Sequence, residues 1–530
     1  MGPFTYSAMG VALGLALHHG LLIHGEWHIR APDLLIYHVV CFASLLTLLE
    51  SAPSMILGYI ASLFSSIIVY RVFFHRLRQF PGPKLACVTK LWHAWHARHR
   101  QNYLVLGKLH ETYGDFIRTG PSEVTVYHPD VFMAIDGPQG NCVKSDWYDL
   151  LHPKQSLVTA RKKEVHAGRR RQWNRGFTSQ ALDQYQDRIL PLLDELDGCI
   201  EADIAAGRPS NARNLFFWLG FDRMGDFIFS RTFNMLSRQE WHHIILLLQR
   251  ALSLLGPLSP VPWLIHIAFK LLPRIWILND WFRMVAWCES QMVNRLKTHA
   301  DTGKARDVAH YLLEDVKEDY QQFPWLTGDG ILAIVAGSEP TAAVLTGLFY
   351  ELAKHPEHAE EILREISCID IHDSRALAQR CPHLEAVILE ALRLYPALPT
   401  GGNRKTLENG VVIGGRYIPP DTTIVAPRFC ISRREDCFEK ALEFIPERWY
   451  KHPEMVWNKA AFAPFGTGHH SCLGRALAMN DMRLTTARLI QKYTFTFPAG
   501  ENGDSVWKDL KDQFTSNPGC LRLVFERRQA

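Results

Sequence analysis

The sequence predicts a mainly α-helical globule with small β-sheets, preceded by N-terminal transmembrane helices. Three observations predict it. The first 70 residues hold three charge-poor apolar blocks; most of the chain beyond residue 84 carries apolar residues at helical spacing; and strand-like patterning is confined to 116–127, which turns at Gly120-Pro121, and to 410–426.

The apolar blocks come first. No Asp, Glu, Lys or Arg precedes Glu26, and none lies between Asp33 and Glu50 or between Glu50 and Arg71. A spanning helix needs about 20 mostly apolar residues. Blocks 6–23 and 53–70 meet that length and 34–49 is marginal, so two or three transmembrane helices are expected within an anchor covering 1–79. A cleaved signal peptide is disfavoured because no basic stretch precedes the first block and two more apolar blocks come after it. Arg71, Arg76, Arg78 and Lys84 come directly after the third block, and a Lys/Arg excess marks the cytosolic side. If all three blocks span, Arg30 lies in a cytosolic loop and Glu50 in a lumenal one. Phe80-Pro81-Gly82-Pro83 then breaks any helix and begins a globule expected over 80–530. Within it, 244–272 is apolar enough to lie against a bilayer.

Composition narrows the function classes. Hydrophobic residues make up 47% of the 530 and charged residues 21%, enough for a large core and against disorder. A net charge of +4 is too slight for nucleic-acid binding, and no nucleic-acid partner is expected. The eleven cysteines are scattered without a Cys-x-x-Cys pair, which argues against a zinc ribbon or disulfide scaffold and for reduced thiols. There is no internal repeat and no Gly-rich flavin or nicotinamide loop, so no fused reductase is expected.

One cysteine stands apart. It lies in Phe465-Gly466-Thr467-Gly468-His469-His470-Ser471-Cys472-Leu473-Gly474. Gly466 and Gly468 can take positive φ angles and turn backbone amides toward the sulfur, and a helix expected from Leu473 to about Tyr493 puts its N-terminus beside it. Amides and helix N-termini lower a thiol's pKa, as a thiolate iron ligand requires. Gly474 leaves room for a flat macrocycle. This peptide resembles the haem-binding peptide of the cytochrome P-450 family, Phe-(Gly or Ser)-x-Gly-x-(Arg or His)-x-Cys-x-Gly, at every fixed position. The Pro-Gly-Pro run is similar to the hinge of the family's membrane-bound members.

The resemblance implies the cytochrome P-450 fold over about 81–530, haem b with Cys472 as the axial ligand of its iron, and Phe465, Gly466, His470 and Gly474 around it. His470 fills the basic position that meets a haem propionate. A thiolate axial ligand favours O–O cleavage, so oxygen activation is the implied chemistry.

Other constellations agree. Glu390 and Arg393, three apart among Leu389, Leu392 and Leu394, share a helix face. With Arg448 of Pro446-Glu447-Arg448 they resemble the family's Glu-x-x-Arg helix and Pro-Glu-Arg segment, which imply a structural lock. His166 and Arg170, four apart in a basic helix, resemble the family's propionate-binding helix, with His166 where Trp is common. Arg404 is a further propionate candidate by the same resemblance. A basic face there would suit an acidic electron-donor protein.

The stretch Ala336-Gly337-Ser338-Glu339-Pro340-Thr341 is similar to the family's oxygen-binding groove, with Glu339 at the acid position. Pro340 replaces the first threonine, and Thr341 lies about 100° further round the helix. Proton delivery through water, Glu339 or a substrate hydroxyl stays open. Candidate pocket residues by family analogy are Asp146, Trp147, Val335, Ala336, Leu398 and Phe514.

Together these imply a monooxygenase that inserts one atom of O2 into a lipophilic small molecule. It would act in specialised metabolism, resembling membrane-anchored fungal members of the family. NADPH acts only indirectly, through a separate reductase, at an endoplasmic-reticulum membrane with the catalytic domain cytosolic. The alternatives are a haem-thiolate isomerase or dehydratase that needs no external electrons, and a membrane haem sensor or electron carrier.

Overall fold

The computed structural model describes residues 3–297, 307–313 and 323–529. The three apolar blocks are helices. Pro3–Leu17 continues through a π turn, His18–Leu22; Ala31–Leu48 and Ala52–Val69 come next, the last extended by Tyr70–Phe74. By length and composition Ala31–Leu48 and Ala52–Phe74 could each cross a membrane. The second block, marginal by sequence, is thus a full helix because Ala31, Pro32 and Asp33 join its first turn.

The first and third helices cross closely. A Cβ on Gly10 would lie 2.0 Å from the Met55 carbonyl oxygen and one on Gly14 2.6 Å from that of Tyr59, the small-xxx-small packing that lets membrane helices approach. The loop between the first two helices folds back on the globule. Glu26 accepts bonds from Arg161 at 2.6 and 2.8 Å and from Lys405 at 2.9 Å, and His28 meets Asp149 at 2.8 Å. This loop and the chain after Phe74 therefore lie on one side of the helices. Helix Pro262–Leu271, inside the stretch expected to approach the bilayer, packs on Ala31–Leu48.

The globule is built around helix Phe323–Lys354. It too is long and apolar enough to span a membrane, but most of it is buried within the protein, so it is a core helix. Helix Ala212–Phe229 crosses it closely: a Cβ on Gly220 would sit 2.9 Å from the Ser338 carbonyl oxygen, and one on Gly337 2.3 Å from Met224 Sδ. The main hydrophobic core surrounds these helices, and a smaller one lies under the principal sheet.

That sheet has five strands in the order Phe116–Gly120, Glu123–Val126, Thr423–Val425, Arg404–Thr406, Cys142–Lys144. Both stretches read as strands are strands. The second supplies the hairpin Val411–Ile413 and Arg416–Ile418 as well as Thr423–Val425. A three-stranded sheet of Ser210–Asn211, Arg522–Arg527 and Tyr493–Thr496 and a hairpin of Lys511–Gln513 and Thr515–Asn517 complete the β content of the described residues.

Candidate active site

The cysteine peptide forms a tight loop. Gly466 and Gly468 have φ of +67° and +57°, the left-handed region that favours glycine. Gly468 also has no room for a side chain, since a Cβ would lie 1.7 Å from the Asp136 carbonyl oxygen. The Cys472 amide donates to the Phe465 carbonyl at 2.7 Å. The next helix is Arg475–Lys492 with Gly474 as its N-cap, two residues later than expected. Cys472 and Leu473 stay in the loop: the Cys472 amide is taken by the Phe465 carbonyl, and the Gly474 amide faces the sulfur.

Cys472 presents exposed surface. The Gly474 amide, Arg170 and Arg475 all act to lower its pKa, yet burial by the surrounding protein outweighs them and the net shift is upward. The Gly474 amide acts in the direction expected from the sequence, and a coordinated iron cation would deprotonate the thiol outright.

Around the loop basic groups converge. Helix Lys163–Arg175 brings Arg170, whose guanidinium donates to the carbonyls of Ser471 at 2.7 Å and His469 at 3.5 Å. The same helix places the His166 ring 4.9 Å from that of His470. His470 Nδ1 lies 2.9 Å from Asp136, and Arg404 donates to both oxygens of that carboxylate at 2.6 and 2.9 Å and to the Tyr148 hydroxyl at 2.9 Å. Lys144, whose ammonium donates to the Leu157 carbonyl at 2.9 Å, completes the cluster. Burial, then Arg404, pushes its pKa down to about 7, and burial with Lys144 and His470 holds His166 at about 3.

Five basic side chains thus gather around one carboxylate, Asp136, which only His470 and Arg404 of the five contact directly. This donor set fits the two propionates of the haem that the resemblance implies. Asp136, Lys144 and Tyr148 were not expected; they come from three elements far from the cysteine in sequence, and no local motif marks them.

The central helix presents Ala336 as exposed and Gly337, Pro340 and Thr341 as partly exposed, while Val335, Ser338 and Glu339 are buried. Those less-covered positions make one open stripe along the helix. Pro340 is held within the unbroken helix and has no N–H to give the Ala336 carbonyl. Glu339 points elsewhere: its carboxylate accepts from the Thr515 hydroxyl at 2.6 Å. Burial raises its pKa to about 7, against the lowering effects of Thr515 and Arg213.

Val335 and Ala336 line an apolar cavity of about 1010 Å³ including its mouth, together with Trp147, Phe514, Phe269 and Trp281. Trp147 and Phe514 stack with centroids 4.4 Å apart. Of the pocket residues expected from sequence, Asp146 and Leu398 do not line it. Both are only partly exposed, Asp146 in the turn Asp146–Asp149 and Leu398 beyond the end of helix Pro382–Leu394. The neighbouring turn residue Trp147 takes the wall position instead.

The Glu390 network is fully buried. Arg393 donates to both Glu390 oxygens at 2.9 and 2.7 Å, Arg448 donates at 3.0 Å and the Trp449 indole at 2.9 Å. The two guanidiniums also reach the carbonyls of Ser432, Ala441, Glu443, Glu439 and Lys440.

Comparison with known proteins gives the same answer. The family described as Cytochrome P450 matches residues 81–519. Among curated relatives, cytochrome P450 monooxygenase notG' of Aspergillus versicolor is 34% identical, with 99% of this chain and 98% of the relative covered. Tryprostatin B 6-hydroxylase of Neosartorya fischeri is 33% identical over the same shares. A crystal structure of the cytochrome P450DA heme domain superposes with a TM-score of 0.67 at 18% identity, covering 81% of this chain and 94% of that one, a likeness of fold. The loop, the Glu390 network and these matches together establish that the chain belongs to the cytochrome P450 family.

Proposed function

We propose that this chain is a haem-thiolate monooxygenase of specialised metabolism that oxygenates a lipophilic small molecule, drawing electrons from NADPH through a separate reductase. The observation that carries this reading is the joint presence of a cysteine loop leading into a helix, a surplus of basic groups beside it, and an apolar cavity lined by Ile331, Leu332, Val335 and Ala336 of the central helix. A 6-hydroxylase and several monooxygenases among the relatives support oxygen insertion as the reaction type. Residues 1–79 serve as the membrane anchor and 80–530 as the catalytic domain, on the cytosolic face of the endoplasmic reticulum; the basic residues after the third apolar helix support that orientation.

Haem b ligated by a thiolate supplies the activation of dioxygen. The chain's own residues do the rest. Cys472 offers the axial sulfur, and Arg170 fixes its loop by holding the Ser471 carbonyl. Lys144, His166, Arg170, Arg404 and His470 would hold the haem propionates. Trp147 and Phe514 offer flat apolar contact that suits an aromatic or polycyclic substrate, and Ile331 and Leu332 help keep the cavity dry.

Glu339 is the proton reservoir in this reading. With its pKa at about 7 it holds a proton below neutrality and loses it above. Product formed per NADPH consumed is therefore expected to fall as pH rises through about 7, and Glu339→Gln to lower that yield and flatten the profile. The folded-state pKa lies above the ordinary value of 4.5, so stability should also decline as pH rises between those two values, with the slope absent in Glu339→Gln. Pro340→Thr should leave the yield little changed. A wild-type profile flat across neutrality would remove Glu339 from the route.

Pro340 in place of a threonine, with Glu339 turned to Thr515, also favours a second reading, an isomerase or dehydratase. With the true substrate, turnover is expected to stop when NADPH or the reductase is withheld. Undiminished product under anaerobic, reductant-free conditions would reject oxygen insertion and leave the Cys472 site intact.

A further inference from the structure

We propose that His358, His383 and Glu447 form a binding site for a divalent transition-metal ion, zinc by its donor set, beside the Glu390 network and apart from the haem chemistry. The three side chains come from separate elements: helix Pro356–Ile366, the first turn of helix Pro382–Leu394, and the 3-10 turn Pro446–Trp449. His358 Nδ1 lies 3.1 Å from His383 Nε2 and 3.8 Å from the Glu447 carboxylate, and all three ligand atoms fall within 4.8 Å of one another. A tetrahedral zinc ion with bonds of about 2.0–2.2 Å needs donors roughly 3.3 Å apart. Small side-chain adjustments bring all three into that range.

The surroundings prepare the rings for this task. His383 Nδ1 lies 2.9 Å from the Tyr450 hydroxyl, which occupies that nitrogen and leaves Nε2 facing the cluster. Outer hydrogen bonds of this kind orient metal-binding histidines. The Glu365 carboxylate accepts from the amides of His383 at 2.8 Å and Leu384 at 3.1 Å and fixes the turn that carries the ring. Both rings are buried. Burial lowers both imidazole pKa values, that of His383 to about 4, so the rings stand in the neutral form that ligates metals. Glu447 is about a quarter exposed (27%), which gives an ion an entry path and a water a fourth position.

A hydrogen bond between two neutral imidazoles would use the 3.1 Å contact alone; an ion uses all three groups. Calcium and magnesium prefer oxygen donors, and copper and nickel favour tetragonal arrangements; the two-nitrogen, one-oxygen set is a known zinc set, shared with ferrous iron, and the four-coordinate geometry with one water favours zinc. A bound ion would tie the helix of Glu390 to the segment of Arg448.

The test uses the full-length, haem-loaded protein, incubated with zinc chloride, desalted, and assayed for zinc and iron in one sample. Wild type is expected to retain a zinc ion per chain and to unfold at higher temperature when loaded. His358→Gln and Glu447→Gln are expected to lose both effects with the carbon-monoxide spectrum unchanged, and Tyr450→Phe to weaken binding about 10- to 100-fold. Should His358→Gln fail to fold, the partly exposed Glu447 supplies the variant that decides. Wild type that retains no zinc, or variants that retain as much as wild type, would overturn the site.

Discussion

Cys472→Ser is expected to abolish product formation and the strongly red-shifted Soret band of the reduced carbon-monoxide complex. A serine hydroxyl is nearly isosteric, and the amide bond from residue 472 to the Phe465 carbonyl at 2.7 Å does not depend on the side chain, so the loop survives. The variant loses the only atom of the loop able to bind iron as a soft, electron-donating thiolate. Far-UV circular dichroism and thermal unfolding of the protein should change little. Gly468→Ala makes the contrast. Its Cβ would meet the Asp136 carbonyl at 1.7 Å in a left-handed backbone, so it should lose the band together with stability. Folded, haem-loaded wild type that shows a histidine-type band would refute the thiolate assignment.

Glu390→Ala is expected to cost about 3–5 kcal/mol, the penalty for stranding a buried charge pair. Here one carboxylate balances two guanidiniums, all three side chains fully buried, and its removal also leaves the Trp449 indole and the Ile445 amide without their acceptor. Against a typical net stability of about 5–15 kcal/mol, such a loss should show as poor soluble yield and failure to retain haem. Glu390→Gln keeps the shape and part of the hydrogen bonding and should fall between. Denaturant unfolding of the two variants reads the difference. A midpoint for Glu390→Ala equal to that of wild type would show that the backbone carbonyls around Arg393 and Arg448 hold the lock by themselves.

Features governed by near neighbours in the chain were legible in the sequence. The charge-free blocks had to be apolar helices, glycines at 466 and 468 had to turn, and Glu390 and Arg393 had to share a helix face, because sterics and helical period act over a few residues. Where interactions cross the fold, spacing carries no information. Asp136, Lys144 and Tyr148 join His470 only through packing of the principal sheet against the cysteine loop. Glu339 could be placed on the central helix from sequence, but its partner Thr515 lies 176 residues away on the C-terminal hairpin. The direction of the Cys472 pKa shift was likewise decided in three dimensions: the lowering groups Gly474 and Arg475 are local and readable, whereas Arg170 and the burial that outweighs all three come from elements packed around the sulfur.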